Sequence, residues 1–478
     1  MTSLQPTELA ALLDARSPTG AGAWPSGRGV AYDSRTVRAG DVFFALPGSA
    51  GHGIDHAEQA LRRGAAYLVS DRAHPRALLV DDAHAALHTL GRVARARLRA
   101  PVIAVTGSAG KTTTKTLITN ALAARSTPGN LNTPPALVAA LVEAVMMDEA
   151  ANDTSSAAAH NTGAIHGPGG PGTDLVLELG IDRLGEMDEL VALTSPDHGL
   201  ITTIGEAHLS ALQDPATVAI EKSKLLVSVD GLSLCGGAAA ALLDPGLRKR
   251  TVAVHLAGQT SPPSGMADVI EGVLDEHNVL HAFGVSATLP WYGKQLAENA
   301  LLALALAVRL GRDPETALAS MVAAPLEHSR LERLRAGDVH IIDDSYNSNP
   351  LSVALALDVL RASPGPRVAF LGDMRELGAV SAQRHRELGA ATTGLDMVIA
   401  IGPAAAAIRD TNPAARLAAD ATDAERYLDD VPSGATVLVK GSRSLLLERL
   451  VDAMLERFGG SRHAGTTPEQ QPTEASPW

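Results

Sequence analysis

The chain has 478 residues, of which 45% are hydrophobic and 19% charged. That is folded globular composition, and the length predicts about three domains. Aromatic residues make up only 3%, so the cores must be mostly aliphatic. No apolar run of about 18 residues is present to span a membrane. The single cysteine, Cys235, excludes an internal disulfide framework and a Cys-built zinc site. The formal net charge of −13 argues against a general nucleic-acid binder, which needs Lys/Arg stripes along its surface. The first residues, MTSLQPTELAALLDARS, lack a basic stretch followed by an apolar core, so no secretory signal is read and a cytoplasmic protein is expected.

Residues 1–82 carry short strand signals, GVAYDS, DVFFAL and AAYLVSD, around a helical stretch from His56 to Gly64. They predict a small α/β domain. From about residue 83 a helix precedes the strand VIAV (102–105), a Gly-rich turn and a second helix, with further strands at DLVLELG and GLITTIG. Near residue 325 the pattern restarts with HIIDDS, RVAFLG, MVIAIG and TVLVKG, separated by helical patterns. Strands alternating with helices predict parallel sheets covered on both faces. A last helix is expected from about Arg443, with Leu447, Leu450, Val451, Met454 and Phe458 on one buried stripe. Residues 151–173 and 459–478 are polar or Gly/Pro/Ser-rich without periodicity, and both are expected to be unstructured. His160 and His166, in the first of these, read as solvated loop histidines.

The sharpest motif is VIAVTGSAGKTTTK, residues 102–115. A strand runs into Gly107-Ser108-Ala109-Gly110, then Lys111-Thr112-Thr113 opens a helix. Glycines let backbone N–H groups approach phosphate oxygens, and the helix N-terminus adds positive potential. Lys111 would neutralise terminal phosphates of a nucleotide and the Thr112 hydroxyl would bind Mg²⁺. Only the second half of the strict phosphate-loop pattern is present, because Val105 stands where that pattern has Gly. Glu178 closes a strand, His208 follows TTIGEA, and Lys222 and Lys224 lie on the next helix. Singly, each is an ordinary surface or core group. Jointly they are expected at one crevice, where the ends of parallel strands converge.

Over residues 28–458 the chain resembles the Mur ligases, ATP-dependent amide-forming enzymes of peptidoglycan precursor synthesis. The resemblance rests on YDSRTVRAGDVFFAL, TGSAGKTTTK, GNLNTP, LELG…GEM, TTIGEAHL, EKSKLL, GKQLAENALLALALA, IDDSYNSNPLS, FLGDMRELG and KGSR. DDSYNSNP with GDMRELG and KGSR points to the branch that adds D-alanyl-D-alanine to UDP-N-acetylmuramoyl-tripeptide (UDP-MurNAc-tripeptide). The resemblance implies an α/β fold of three domains. These are a UDP-sugar-binding domain (1–82), a central phosphate-loop ATPase domain with a parallel sheet (83–325) and a Rossmann-like C-terminal domain (326–458), followed by a disordered tail. It implies ATP and Mg²⁺, small-molecule substrates, and neither nucleic acid nor membrane as partner; a monomer is expected.

By the same resemblance, Lys111 and Thr112 are the phosphate-loop Lys and metal-binding Thr, and Glu178 and His208 are metal ligands. Lys224 is the lysine that captures CO₂ to become a metal-binding carbamate; it is preferred over Lys222 because the apolar residues after it match the family's helix. Asn299 lies on the adenine side. Arg330, Asp344, Tyr346 and Asn347 contact the nucleotide, and Ser34, Arg35, Asn132 and Thr133 contact substrate. Lys111, Lys224, His208 and Arg330 are the expected catalytic set. The family's G-x-H-N-x-x-N segment reads GKQLAEN here, without the His and first Asn, and Thr203 replaces the Asn of T-N-I-G. Two other readings stand beside this one: a sister ligase with a different acceptor, including one adding glutamate to folate, and a nucleotide-binding regulatory module without turnover.

Overall fold

The structure is a computed structural model and describes residues 1–462 apart from 19–20, 50, 153–162, 206–211, 213, 260 and 327. Its described residues form three main sheets. The first is parallel throughout, in the order Gly29–Ala31, Asp41–Ala45, Tyr67–Ser70 and Ala77–Leu79. The first three of these strands are buried along their whole length, as expected where helices cover both faces.

The second sheet has nine strands. Its centre runs Ser233–Gly236, His198–Ile201, Val102–Thr106, Leu175–Glu178, all parallel. Arg125–Ser126 closes one edge. At the other, Thr251–Leu256 and Asp268–Leu274 lead into an antiparallel extension, Val279–Ala282 and Val285–Thr288. The third sheet is ordered Glu332–Ala336, Val339–Asp344, Thr436–Lys440, Arg367–Gly372, Met397–Ile401, Arg416–Ala418, with the first strand antiparallel to the rest.

The cores differ in a way that bears on the site. Phe44, Tyr67 and Val69 of the first sheet share one hydrophobic cluster with Leu87 and Leu90 of the helix Ala83–Arg97 and Leu137 and Leu141 of the helix Pro134–Asn152. The joint near residue 83 is therefore packed. The third sheet has its own two clusters, with Val368, Phe370, Val437 and Val439 on one face and Ala369, Leu371 and Leu438 on the other. This is the two-residue alternation of a strand with both faces covered. Among the described residues, no helix is long and apolar enough to cross a membrane.

Two expectations of disorder are corrected where residues are described. In the stretch 151–173, the helix Pro134–Asn152 continues to its end, and the buried Glu143 carboxylate accepts the N–H groups of Gly163 (3.2 Å), Ala164 (2.6 Å) and Ile165 (3.1 Å). Further on, His166 pairs with Ser126, and Arg125, itself buried, donates to the Thr173 carbonyl at 2.6 Å and to Asp148 at 2.7 Å. In the tail, Gly459 ends the helix Glu448–Phe458 in the left-handed conformation at φ 79°, Gly460 bridges to Ala336, and Arg462 is ion-paired. Apolar content misses such anchors, because a buried carboxylate can hold a polar loop through its backbone. The last helix starts at Glu448, after a short turn at Arg443–Leu445.

Glu143→Ala would leave three loop N–H groups without their acceptor. A loss of about 2–4 kcal/mol is expected, read as a lower thermal midpoint and as new proteolytic cleavage between residues 163 and 173.

Candidate active site

The fully buried strand Val102–Thr106 delivers the chain to Gly107 (φ 152°) and Gly110 (φ 80°). Both glycines are required by space. A Cβ on Gly107 would lie 2.0 Å from the Thr202 hydroxyl oxygen, and one on Gly110 would lie 2.5 Å from Asn299 Nδ2. Ser108 N–H donates to the Thr203 carbonyl (2.8 Å) and Ala109 N–H to the Thr203 hydroxyl (3.1 Å), which clamps the loop to the next strand. The helix Lys111–Ala121 then begins. Its first N–H groups lack intrahelical acceptors and, with the helix dipole, favour an anion.

Lys111 Nζ donates to the Gly107 carbonyl at 2.9 Å. Thr112 donates to Glu178 Oε2 at 2.7 Å, and Asn132 Nδ2 donates to Glu178 Oε1 at 3.0 Å. Glu178 is buried at the end of its strand. Burial lowers the Lys111 pKa, with Glu178 acting against the shift. Thr112 and Glu178 form a pair of hard oxygen donors on the cleft wall, the set that suits Mg²⁺, which takes one or two carboxylates plus substrate phosphates.

The opposite wall comes from the third sheet. The Arg330 guanidinium stacks over the Tyr346 ring at 4.1 Å, an attractive geometry for a cation on an aromatic face. Asp344 Oδ2 lies 2.6 Å from Lys440 Nζ, which also donates to the Asn347 carbonyl at 2.8 Å. Burial raises the Asp344 pKa and Lys440 works against that rise. Asn349 caps the helix Pro350–Ala362 by accepting from Ser352 N–H at 2.8 Å, and its Nδ2 reaches across to the Ser108 carbonyl at 3.2 Å. The third domain thus touches the Gly-rich loop directly. Lys111, Thr112, Asn132, Thr133, Glu178, Asn299, Arg330, Asp344, Tyr346 and Asn347 all line one cleft, together with Gln295, Asn349 and Lys440.

Family models match most of the chain. The N-terminal segment, residues 28–106, matches the Mur ligase family catalytic domain, 105–307 the Mur ligase middle domain, and 329–443 the Mur ligase glutamate ligase domain. The UDP-N-acetylmuramoyl-tripeptide–D-alanyl-D-alanine ligase of Treponema pallidum is 30% identical, covering 88% of this chain and 92% of the relative. The chain belongs to the Mur ligase family. The ligase of the same name from Bacillus subtilis is 28% identical, covering 90% of this chain and 93% of the relative. Among solved structures, MurF ligase from Thermotoga maritima in complex with ADP is 25% identical with a TM-score of 0.72, covering 90% of this chain and 98% of that one. The α/β fold of three domains is that of these Mur ligases.

The two candidate lysines stand on different faces of their helix. Lys224 is turned outward, with its ammonium 2.7 Å from both Asp188 and Glu221, and these pairs raise its pKa. Lys222 is the lysine that faces inward. It is 1% exposed, and burial first, then the Lys111 charge, lower its pKa to about 7. The physical reason is helical geometry, since positions two apart do not share a face. Val218, Lys222, Leu225 and Leu226 form the buried stripe of the helix Pro215–Ser228, while Ile220 and Val227 are exposed.

His208 lies outside the described residues. Ser34 and Arg35 are away from the cleft wall: Ser34 donates to Gln59 at 2.7 Å, and Arg35 grips Asp33 at 2.6 and 2.9 Å. Their neighbour Tyr32 reaches the cleft rim by a hydrogen bond to Thr133, and burial raises its pKa. Sequence reasoning missed Tyr32, Asn349 and Lys440, although they sit inside the quoted YDSRTVRAGDVFFAL, IDDSYNSNPLS and KGSR motifs. At the altered adenine segment, Gln295 Nε2 donates to Asn299 Oδ1 at 3.1 Å, while Asn299 Nδ2 is buried without a partner. That orphan donor, beside the Gly-rich loop, fits a nucleotide acceptor.

Gly110→Ala adds a Cβ at positive φ and against Asn299. Nucleotide affinity is expected to fall at least about tenfold, measured by calorimetric titration with ADP.

Proposed function

We propose that this chain uses ATP to join D-alanyl-D-alanine to UDP-MurNAc-tripeptide, forming an amide and releasing ADP and phosphate in the synthesis of peptidoglycan precursor. The observation that carries the reading is the single cleft shared by two domains. One wall offers Lys111, Thr112 and Glu178, and the other Arg330, Asp344 and Tyr346. The relatives that bear this activity in their names match along nearly their full lengths.

A carboxylate needs activation before an amine can displace one of its oxygens. In this mechanism the terminal carboxylate of the tripeptide attacks the γ-phosphate of ATP, and ADP leaves. The free amine of D-alanyl-D-alanine then attacks the acyl phosphate, and phosphate departs with one former carboxylate oxygen. Lys111 and the first N–H groups of its helix hold the phosphates and offset charge as it grows. Arg330 and Asn349 close the cleft over the Gly-rich loop and exclude water, which would hydrolyse the acyl phosphate. Asn299 and Gln295 bind at the base. Mg²⁺, held by Thr112 and Glu178, would supply charge neutralisation at the transferring phosphoryl group. Ser34 and Arg35 lie on the sugar-nucleotide side, which Tyr32 joins to Thr133. A monomer acting in the cytoplasm on small soluble substrates belongs to the same proposal.

Lys222 takes the part first expected of Lys224. Only a neutral amine can attack CO₂. With its pKa brought down to about 7, Lys222 has a substantial neutral fraction near physiological pH, whereas Lys224 is held charged by two carboxylates. Carbamylation would turn Lys222 into a carboxylate beside Lys111 and Glu178.

Two measurements test the proposal. ADP release should require ATP, UDP-MurNAc-tripeptide and D-alanyl-D-alanine together. Efficient use of free glutamate or a diamino acid in place of the dipeptide would indicate a sister ligase, and nucleotide binding without turnover a regulatory module. Lys222→Ala should lose turnover by a factor of about 100 or more and regain part of it with added formate or acetate. Lys224→Ala should keep most activity and lose at most about 1 kcal/mol of stability. The reverse pattern would return the role to Lys224.

A further inference from the structure

Arg330 reaches the cleft from a turn under backbone strain. Ser329 and Leu331, on either side, are both left-handed, at φ 59° and 54°, a conformation that non-glycine residues hold only when their surroundings enforce it. Two consecutive aspartates at the end of the strand Val339–Asp344 do so. Asp343 accepts from the Ser329 hydroxyl at 3.0 Å and from Ser345 N–H and Oγ at 3.1 and 2.6 Å. Asp344 accepts from Leu331 N–H at 3.2 Å. Tyr346 N–H completes the clamp on the Ser329 carbonyl at 3.2 Å.

Each aspartate has its own cation. For Asp344 it is Lys440, within the cleft. Asp343 is wholly buried, and its cation comes from beyond the last helix. Arg462 Nη1 lies 2.9 Å from Asp343 Oδ2 and 3.2 Å from Glu332 Oε2, and its Nε lies 2.8 Å from Asp452. Glu332 Oε2 also accepts Ser329 N–H at 3.1 Å. Arg462 therefore joins both carboxylates that grip Ser329, while contributing no atom to the cleft lining.

We infer that Arg462 is a positioning residue for the ligase reaction: the C-terminal tail, through Asp343 and Glu332, fixes the turn that presents Arg330 to the nucleotide. A buried carboxylate stripped of its cation is strongly disfavoured, so without Arg462 the Asp343 clamp loosens and Arg330 loses its place over Tyr346. The inference rests on the reading of the cleft given above.

A double-mutant cycle in the full-length chain separates the two. Arg330→Ala alone tests the cleft reading. Normal KM for ATP and normal kcat in that variant would overturn the role of Arg330, and with it any positioning of Arg330. With Arg330→Ala impaired, Arg462→Gln is expected to raise KM for ATP about tenfold while protein and acceptor kinetics at saturating ATP change less, and Arg462→Lys to recover most of the loss. In the Arg330→Ala background, Arg462→Gln should add nothing further. An unchanged KM in Arg462→Gln, or losses that multiply in the double variant, would overturn the inference. If Arg462→Gln does not fold, Arg462→Lys, which keeps the charge but not the two-carboxylate span, goes through the same cycle. A rise of about threefold that vanishes in the Arg330→Ala background is then expected, and multiplying losses again overturn it.

Discussion

The structure depends on a concentration of charge removed from water at the end of one strand. Lys111 and Lys222 are both held below their ordinary pKa by burial, and each feels the field of Glu178. Two amines beside one carboxylate in a low-dielectric pocket cannot both carry a proton without repulsion. An anionic ligand relieves that repulsion, and a nucleotide triphosphate supplies the charge on groups the first helical N–H donors can reach. The close approach this demands accounts for Gly107 and Gly110, where any side chain would collide with Thr202 or Asn299.

The rest of the architecture serves to hold that pocket rigid on one side and to close it from the other. The first sheet and the central sheet share a core through the helix Ala83–Arg97, so the first domain is fixed relative to the Gly-rich loop. The third sheet is packed separately and meets the loop through Asn349, with Arg330 and Tyr346 facing the cleft. Small polar contacts of this kind suit a domain that must admit and release ligands. Polar residues at that joint are themselves tied down within the third domain, as the Asp343 and Asp344 clamps show.

Much of this was legible in the residues. The strands carrying Thr106, Glu178, Asp344 and Lys440 stand out as short apolar runs, and the Gly-Lys-Thr turn after the first announces a phosphate site by itself. The antiparallel extension at 268–288 was not legible, because its strands are half-exposed and lack a continuous apolar run. That Lys222 faces inward and Lys224 outward is legible in the residues of their helix. The stripe Val218, Lys222, Leu225, Leu226 follows helical spacing, whereas the apolar residues that follow Lys224 are adjacent in sequence and say little about its face. The order in 163–173 and at Arg462 was not legible, since it comes from partners outside those stretches, Glu143, Arg125 and Ser126 for the first and Asp343, Glu332 and Asp452 for the second.

On the proposed function, a carboxylate of the tripeptide is activated by phosphoryl transfer within this cleft. This activation is tested most directly by labelling the terminal carboxylate of UDP-MurNAc-tripeptide with ¹⁸O and running the reaction with ATP and D-alanyl-D-alanine. Mass spectrometry of the products should find one ¹⁸O in the released phosphate and the other in the new amide-linked product. Amide product formed with unlabelled phosphate would contradict an acyl phosphate and the account built on it.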